Sequence, residues 1–139
     1  MNNKAVISVV SRQSEDDESS IEVVTPGEFY KKEDKFCVVY DETEISGMQG
    51  TTTTFNIFPE AFSLIREGTT TTKMDFKENG KSLALYNTPY GVLELEIQTK
   101  KLEINMNENG GDIFIDYNMC ISGQEAQKTQ LKINIAKQA

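Results

Sequence analysis

The sequence contains no histidine. That absence removes the Ser-His-Asp and Cys-His nucleophile arrangements, the usual zinc and haem ligands, and the side chain best suited to proton transfer near neutral pH. Cysteine is nearly absent as well. Cys37 and Cys120 stand far apart, with no CxxC and no zinc spacing. A reducing cytoplasm disfavours a disulfide between them, so two buried free thiols are expected. Positive charge is scarce: 14 basic against 22 acidic side chains give a net charge of −8. The densest basic stretches are "KKEDK" at 31–35 and "TKK" at 99–101, and the first has acids inside it. Such a chain repels phosphate backbones at long range, and no nucleic-acid partner is expected.

Other signatures are missing too. The opening "MNNKAVISVVSRQ" has one lysine and an apolar stretch broken by serines, too short and polar for a secretory signal or a membrane span. The expectation is a cytoplasmic protein with no membrane partner. No glycine-rich phosphate loop stands in a strand-to-helix setting, and "SEDDES" lacks the spaced oxygen ligands and central glycine of an EF-hand. Asp41 and Asp116 are conceivable as a carboxylate pair, yet alternation points both outward. No catalytic residue, metal or cofactor is expected, and a binder is favoured over an enzyme.

What the chain does have is period-two alternation almost everywhere. Its 139 residues make one domain, 1–139, able to bury roughly two thirds of its unfolded surface. The pattern predicts strands at 4–11, 20–31, 35–43, 49–57, 61–67, 71–77, 81–87, 90–106, 112–121 and 126–136. "ENGK", "NENGGD", "KEDK", "FPE" and "SGQ" supply turn residues between them. Only "FPEAFSLIRE" competes as a helical turn after Pro59.

Alternation also assigns faces. Ile113, Ile115, Tyr117, Met119 and Ile121 share one face, and Leu131, Ile133 and Ile135 behave likewise. In the long strand Leu93, Leu95 and Ile97 occupy odd positions but Leu102, Ile104 and Met106 even ones. A β-bulge near Thr99–Lys101 is therefore predicted. Pro26–Gly27 predicts a similar irregularity in the second strand. Phe114, Cys120, Val24, Val39 and Tyr86 are the apolar residues expected to face outward, where a contiguous patch would mark an interaction surface. Threonines 51–54 and 69–72 read as strand filler that tolerates either face. Strands joined by short hairpins leave two edges unless they close. The predicted fold is all-β: one antiparallel up-and-down barrel of about 8–10 strands, with a sandwich as second choice.

"GEFYKK" from Gly27, "YDE" at Tyr40–Glu42, "IREG" at Ile65–Gly68, "MDF" at Met74–Phe76, "YNTPYG" at Tyr86–Gly91 followed by Thr99, and "DIFIDY" ending in Tyr117 resemble the YwiB-like proteins. That family consists of small bacterial proteins with a calycin-like β-barrel and no established activity. The resemblance runs in order along nearly the whole chain, and "IREG" with "TPYG" is its most specific part. It implies the barrel and a bacterial cytoplasmic setting, and it implies no function.

In a simple meander the links after odd-numbered strands gather at one rim, which brings "TPYG" to a mouth. Glu42 and Arg66 reach the same rim on apolar faces, two strands apart, or roughly 10 Å by backbone spacing. Two readings stand. Glu42 and Arg66 form an ion pair that closes one end of the barrel, or Arg66, helped by Tyr40 or Tyr117, anchors an amphipathic or anionic small-molecule ligand whose tail enters the interior. Tyr90 in "TPYG" is either a turn residue or part of that site, and a cis Thr88–Pro89 bond is open. The competing function is an interaction module using an outer face. The chain is expected as a monomer or homodimer.

Overall fold

The computed structural model describes residues 4–13, 21–42, 49–68, 71–88, 91–121 and 127–138. Ten strands follow one another: β1 (Lys4–Gln13), β2 (Ile21–Lys32), β3 (Lys35–Asp41), β4 (Thr51–Ile57), β5 (Ala61–Gly68), β6 (Thr72–Lys77), β7 (Lys81–Thr88), β8 (Gly91–Asn107), β9 (Gly110–Ile121) and β10 (Gln127–Lys137). Each lies within two residues of its predicted bounds. The segment after Pro59 is strand β5 and not a helical turn, because Phe62 and Leu64 must point inward while Ser63 and Ile65 do not.

All ten strands join one antiparallel sheet in the order β6-β5-β4-β3-β2-β1-β10-β9-β8-β7. Every neighbour is a neighbour in sequence except β1 and β10, which pair from Ala5↔Lys137 to Gln13↔Thr129 and carry the sheet around. The sheet ends, β6 and β7, lie side by side. Their hairpin turns at Asn79, whose φ is 61°, with the Gly80 N–H donating to Lys77 O at 2.8 Å. At the opposite end Thr71 and Asn87 form a single bridge with two backbone hydrogen bonds of 3.0 and 2.8 Å. Between these points Ser82 Oγ donates to Asp75 O at 2.9 Å in place of a ladder bond. The result is a nearly closed barrel with one narrow seam.

The bulge falls where the alternation required it. The β8–β9 register shifts between Thr99 and Lys101, so Leu95, Ile97 and Thr99 point inward before it and Leu102 after it. Lys100 is the extra residue, and solvent suits its charge. Pro26–Gly27 behaves otherwise: Val23, Thr25 and Phe29 keep the same parity across it, so the strand does not slip. What stops there is the β3 ladder, which begins only at Glu28↔Val39. Gly27 is required by contact, since a Cβ would lie 2.7 Å from Val39 O. Gly110 and Gly111, with φ of 120° and 150°, close the β8–β9 hairpin. A Cβ on Gly111 would collide with Asn105 O, and one on Gly110 with Ile135 O.

One core fills most of the interior. Phe55, Phe62 and Phe76 are 1% exposed or less, and a row of rings crosses the lumen from Tyr40 through these three to Tyr117, with centroids 4.9–5.9 Å apart. Aromatic rings at this spacing pack tightly. Ten strands thus enclose less free room than their number suggests, because the phenylalanines occupy it. Thr51 and Thr53 face in while Thr52 and Thr54 face out, so the threonine run obeys the alternation.

One expected face is corrected. Tyr86 packs against the core, because it and Ala84 lie opposite Leu93 and Leu95, and buried Leu95 decides the orientation. Leu83 and Leu85 are consequently the outward pair, exposed with Val92 by 60–71%. Cys37 is a buried free thiol, whereas Cys120 is only half-buried. Val24 is exposed, while Phe114 and Val39 are half-buried.

Candidate functional site

The register puts the polar inward residues on shared rows. Tyr40 on β3 lies opposite Thr53 on β4, Thr53 opposite Arg66 on β5, and Arg66 opposite Thr72 on β6. On the other part of the wall Thr99, Tyr117 and Thr129 align on β8, β9 and β10. Both rows sit toward the rim reached by the ends of the odd-numbered strands. Just past β3, the Glu42 N–H donates to Thr51 O at 2.8 Å, extending the β3–β4 pairing by one residue and turning the carboxylate inward.

Glu42 and Arg66 meet there. The Glu42 side chain is 2% exposed, that of Arg66 19%, and Arg66 Nε stands 3.9 Å from Glu42 Oε2. The same oxygen accepts a hydrogen bond from Thr53 Oγ1. Arg66 Nε and Thr72 Oγ1 are buried and make no hydrogen bond among the described residues. A buried donor without an acceptor costs free energy on the order of 1–3 kcal/mol, a cost that a bound acceptor removes.

Glu42 and Arg66 border a cavity of about 190 Å³. Tyr40, Glu42, Arg66 and Tyr117 supply its polar wall, and Val9, Val23, Leu64, Met74 and Leu131 its apolar sides, with Phe55 and Phe76 deeper in the barrel. Burial raises the Tyr40 phenol well above its ordinary pKa; the Glu42 carboxylate adds to this and Arg66 opposes it. Burial also raises Tyr117, with Arg66 and the Thr129 hydroxyl acting the other way. At neutral pH both phenols therefore remain protonated, and the Tyr40 hydroxyl is engaged with the Glu42 carboxylate.

Four of the five expected site residues, Arg66, Glu42, Tyr40 and Tyr117, are thus brought together. Tyr90 and the Thr88–Pro89 bond lie outside the described residues. Thr53 and Thr72 were missed by the sequence reading, although the first follows from it: once Tyr40 and Arg66 are placed inward two strands apart, a threonine of the intervening strand must separate them. The interior cavity next to these residues lies below the usual range of about 300–1,000 Å³ for ligand pockets.

A larger recess of about 650 Å³ lies on the outer wall among Val10, Lys101, Asp112, Phe114, Lys132 and Asn134. Its polar groups serve one another: Asn134 Nδ2 donates to Asp112 Oδ1 at 2.7 Å, and Lys101 Nζ lies 3.1 Å from Glu103 Oε1. The mouth cavity, with its unserved buried donor, is the stronger candidate. Among the described residues no three histidine, cysteine, aspartate or glutamate side chains cluster to hold a metal ion.

Known proteins share this architecture. The chain is 27% identical over 106 residues to the uncharacterized β-barrel protein YwiB of Bacillus subtilis (strain 168), covering 76% of this chain and 72% of that one. The crystal structure of the ywiB protein from Bacillus subtilis superposes with a TM-score of 0.81 at 22% identity, over 98% of this chain and 91% of that chain. The model of a domain of unknown function, DUF1934, matches residues 7–133, and with the motifs and the barrel in agreement the chain belongs to that family.

Proposed function

We propose that the protein is a non-enzymatic binder that holds a small amphipathic ligand in the mouth cavity. Arg66 is the polar anchor, Tyr40 and Tyr117 are supporting donors, and the apolar sides receive the remainder. The observation that carries this reading is the buried Arg66 Nε, without a hydrogen bond among the described residues, beside a largely apolar cavity. A cavity of about 190 Å³ corresponds to on the order of six waters at about 30 Å³ each, which sets the ligand's size. The free thiols Cys37 and Cys120 support a reducing compartment, the cytoplasm. The test is ligand-observed NMR with a library of molecules of that size. Arg66→Met, verified as folded by circular dichroism, is expected to weaken every specific binder at least ~10-fold. A library without binders, or binders indifferent to the substitution, would sink the reading.

A second reading draws on the exposed Leu83, Leu85 and Val92, which gather on the outer face of β7 and β8. Under it that face is an interaction surface and the protein a homodimer. Sedimentation of wild type and Leu83→Lys decides: a dimer that the lysine dissociates favours it, and a monomer excludes self-association.

A further inference from the structure

Resting on the mouth cavity as a binding site, we infer that its ligand carries an electrically neutral head that both donates and accepts hydrogen bonds, a hydroxyl or a primary carboxamide. The separation of 3.9 Å between Arg66 Nε and Glu42 Oε2 is too long for a direct hydrogen bond. It is short enough for one atom to sit beside both at an ordinary hydrogen-bond distance of about 2.8–3.0 Å. That atom must accept from Nε and donate to Oε2. A hydroxyl does both, and the oxygen and nitrogen of an amide do so between them.

Ionised heads fail on the same geometry. A carboxylate or phosphate accepts from Arg66 but sets its own oxygens against Glu42, whose carboxylate the Thr53 hydroxyl holds in place. An ammonium serves Glu42 but has no lone pair for Nε and meets a guanidinium. The formal charges of the pair cancel, so the site offers an ion no net counter-charge for the hydration it gives up. At longer range the net charge of −8 opposes an anion further.

The test uses four molecules of one chain length: butyramide, 1-butanol, sodium butyrate and butylammonium chloride. Each is titrated into the wild-type protein at neutral pH and constant ionic strength, with two-dimensional amide NMR as readout. The two neutral molecules are expected to bind at least ~10-fold more tightly than either ion, and to shift residues around the cavity. Their own ranking tells hydroxyl from carboxamide. Glu42→Gln removes the opposing charge and is expected to raise the affinity of butyrate relative to butyramide at least ~10-fold. Butyrate or butylammonium binding best to wild type overturns the neutral head and leaves the binding site standing. No perturbation around the cavity by any of the four overturns both. Should Glu42→Gln fail to fold, the wild-type ranking alone decides.

Discussion

Arg66 Nε lies 3.9 Å from Glu42 Oε2, while Thr53 Oγ1 donates a hydrogen bond to that same oxygen. The carboxylate is held by the neutral hydroxyls of Thr53 and Tyr40, and at 3.9 Å Arg66 Nε acts on it through the field. Register makes this inevitable: Thr53 stands between Tyr40 and Arg66 on the intervening strand. The pair is therefore built to offset charge and leaves the Nε–H of the arginine without an acceptor among the described residues.

Removing one partner should cost more than removing both. Arg66→Met leaves a buried carboxylate with only the neutral hydroxyls of Thr53 and Tyr40 and is expected to lower stability by about 2–3 kcal/mol, the low side for a buried pair, since the Arg66 side chain is 19% exposed. Arg66→Met with Glu42→Leu should return to within about 1 kcal/mol of wild type. Urea denaturation of the three proteins checks both values. A double variant weaker than the single one would show that the carboxylate has a structural role beyond the pair.

Alkaline pH should unfold the barrel from its mouth. Burial raises the folded-state pKa of Tyr40 and Tyr117 above the unfolded value of 10.0. Below pH 10 both states hold the phenolic proton and the stabilisation is complete; above it the unfolded chain loses the proton first. Stability is then expected to fall by about 1.4 kcal/mol per pH unit for each tyrosine until the folded phenol titrates. Thermal melts between pH 8 and 11, with phenolate absorbance recorded in parallel, measure this. Both tyrosines ionising at ordinary pH in the folded protein would refute it.

The seam between β6 and β7 should be the first part of the wall to exchange its amide protons. β9 is paired along both sides, to β8 and β10, whereas β6 and β7 meet through one bridge and the Ser82–Asp75 hydrogen bond. Hydrogen exchange by mass spectrometry is expected to label β6 and β7 at least ~10-fold faster than β9. Ser82→Ala should widen the difference at a cost of about 0.5–1 kcal/mol. Uniform protection around the barrel would mean that the seam is as tightly held as the ladders.

The strands and the bulge were legible because a half-buried strand writes its orientation into every second residue. Strand β8 illustrates the principle between Ile97 and Leu102: the parity of the apolar residues flips there, and the register shift stands where it flips. The inward placement of Glu42 and Arg66 was legible in the same way, from Val38 and Tyr40 beside one and Phe62 and Leu64 beside the other. β7 was not, because Leu83, Ala84, Leu85 and Tyr86 are apolar on both faces, and only the partners on β8 break the tie. Pro26–Gly27 misled for another reason. Proline marks the loss of a ladder hydrogen bond, and it is the β3 ladder that ends here while the β1 pairing continues. The fill of the lumen was hidden as well, since alternation tells which phenylalanines enter the barrel and not how their rings share the space.

The β1–β10 ladder has a kinetic consequence. Ala5 pairs with Lys137 and Ile7 with Ile135, so the contact that closes the wall joins segments separated by nearly all of the intervening chain. Loop-closure entropy makes such contacts slow to form, and folding rates fall as sequence separation grows. During synthesis β1 emerges long before its partner and waits, its backbone hydrogen-bonding groups on that side unpaired, until β10 leaves the ribosome.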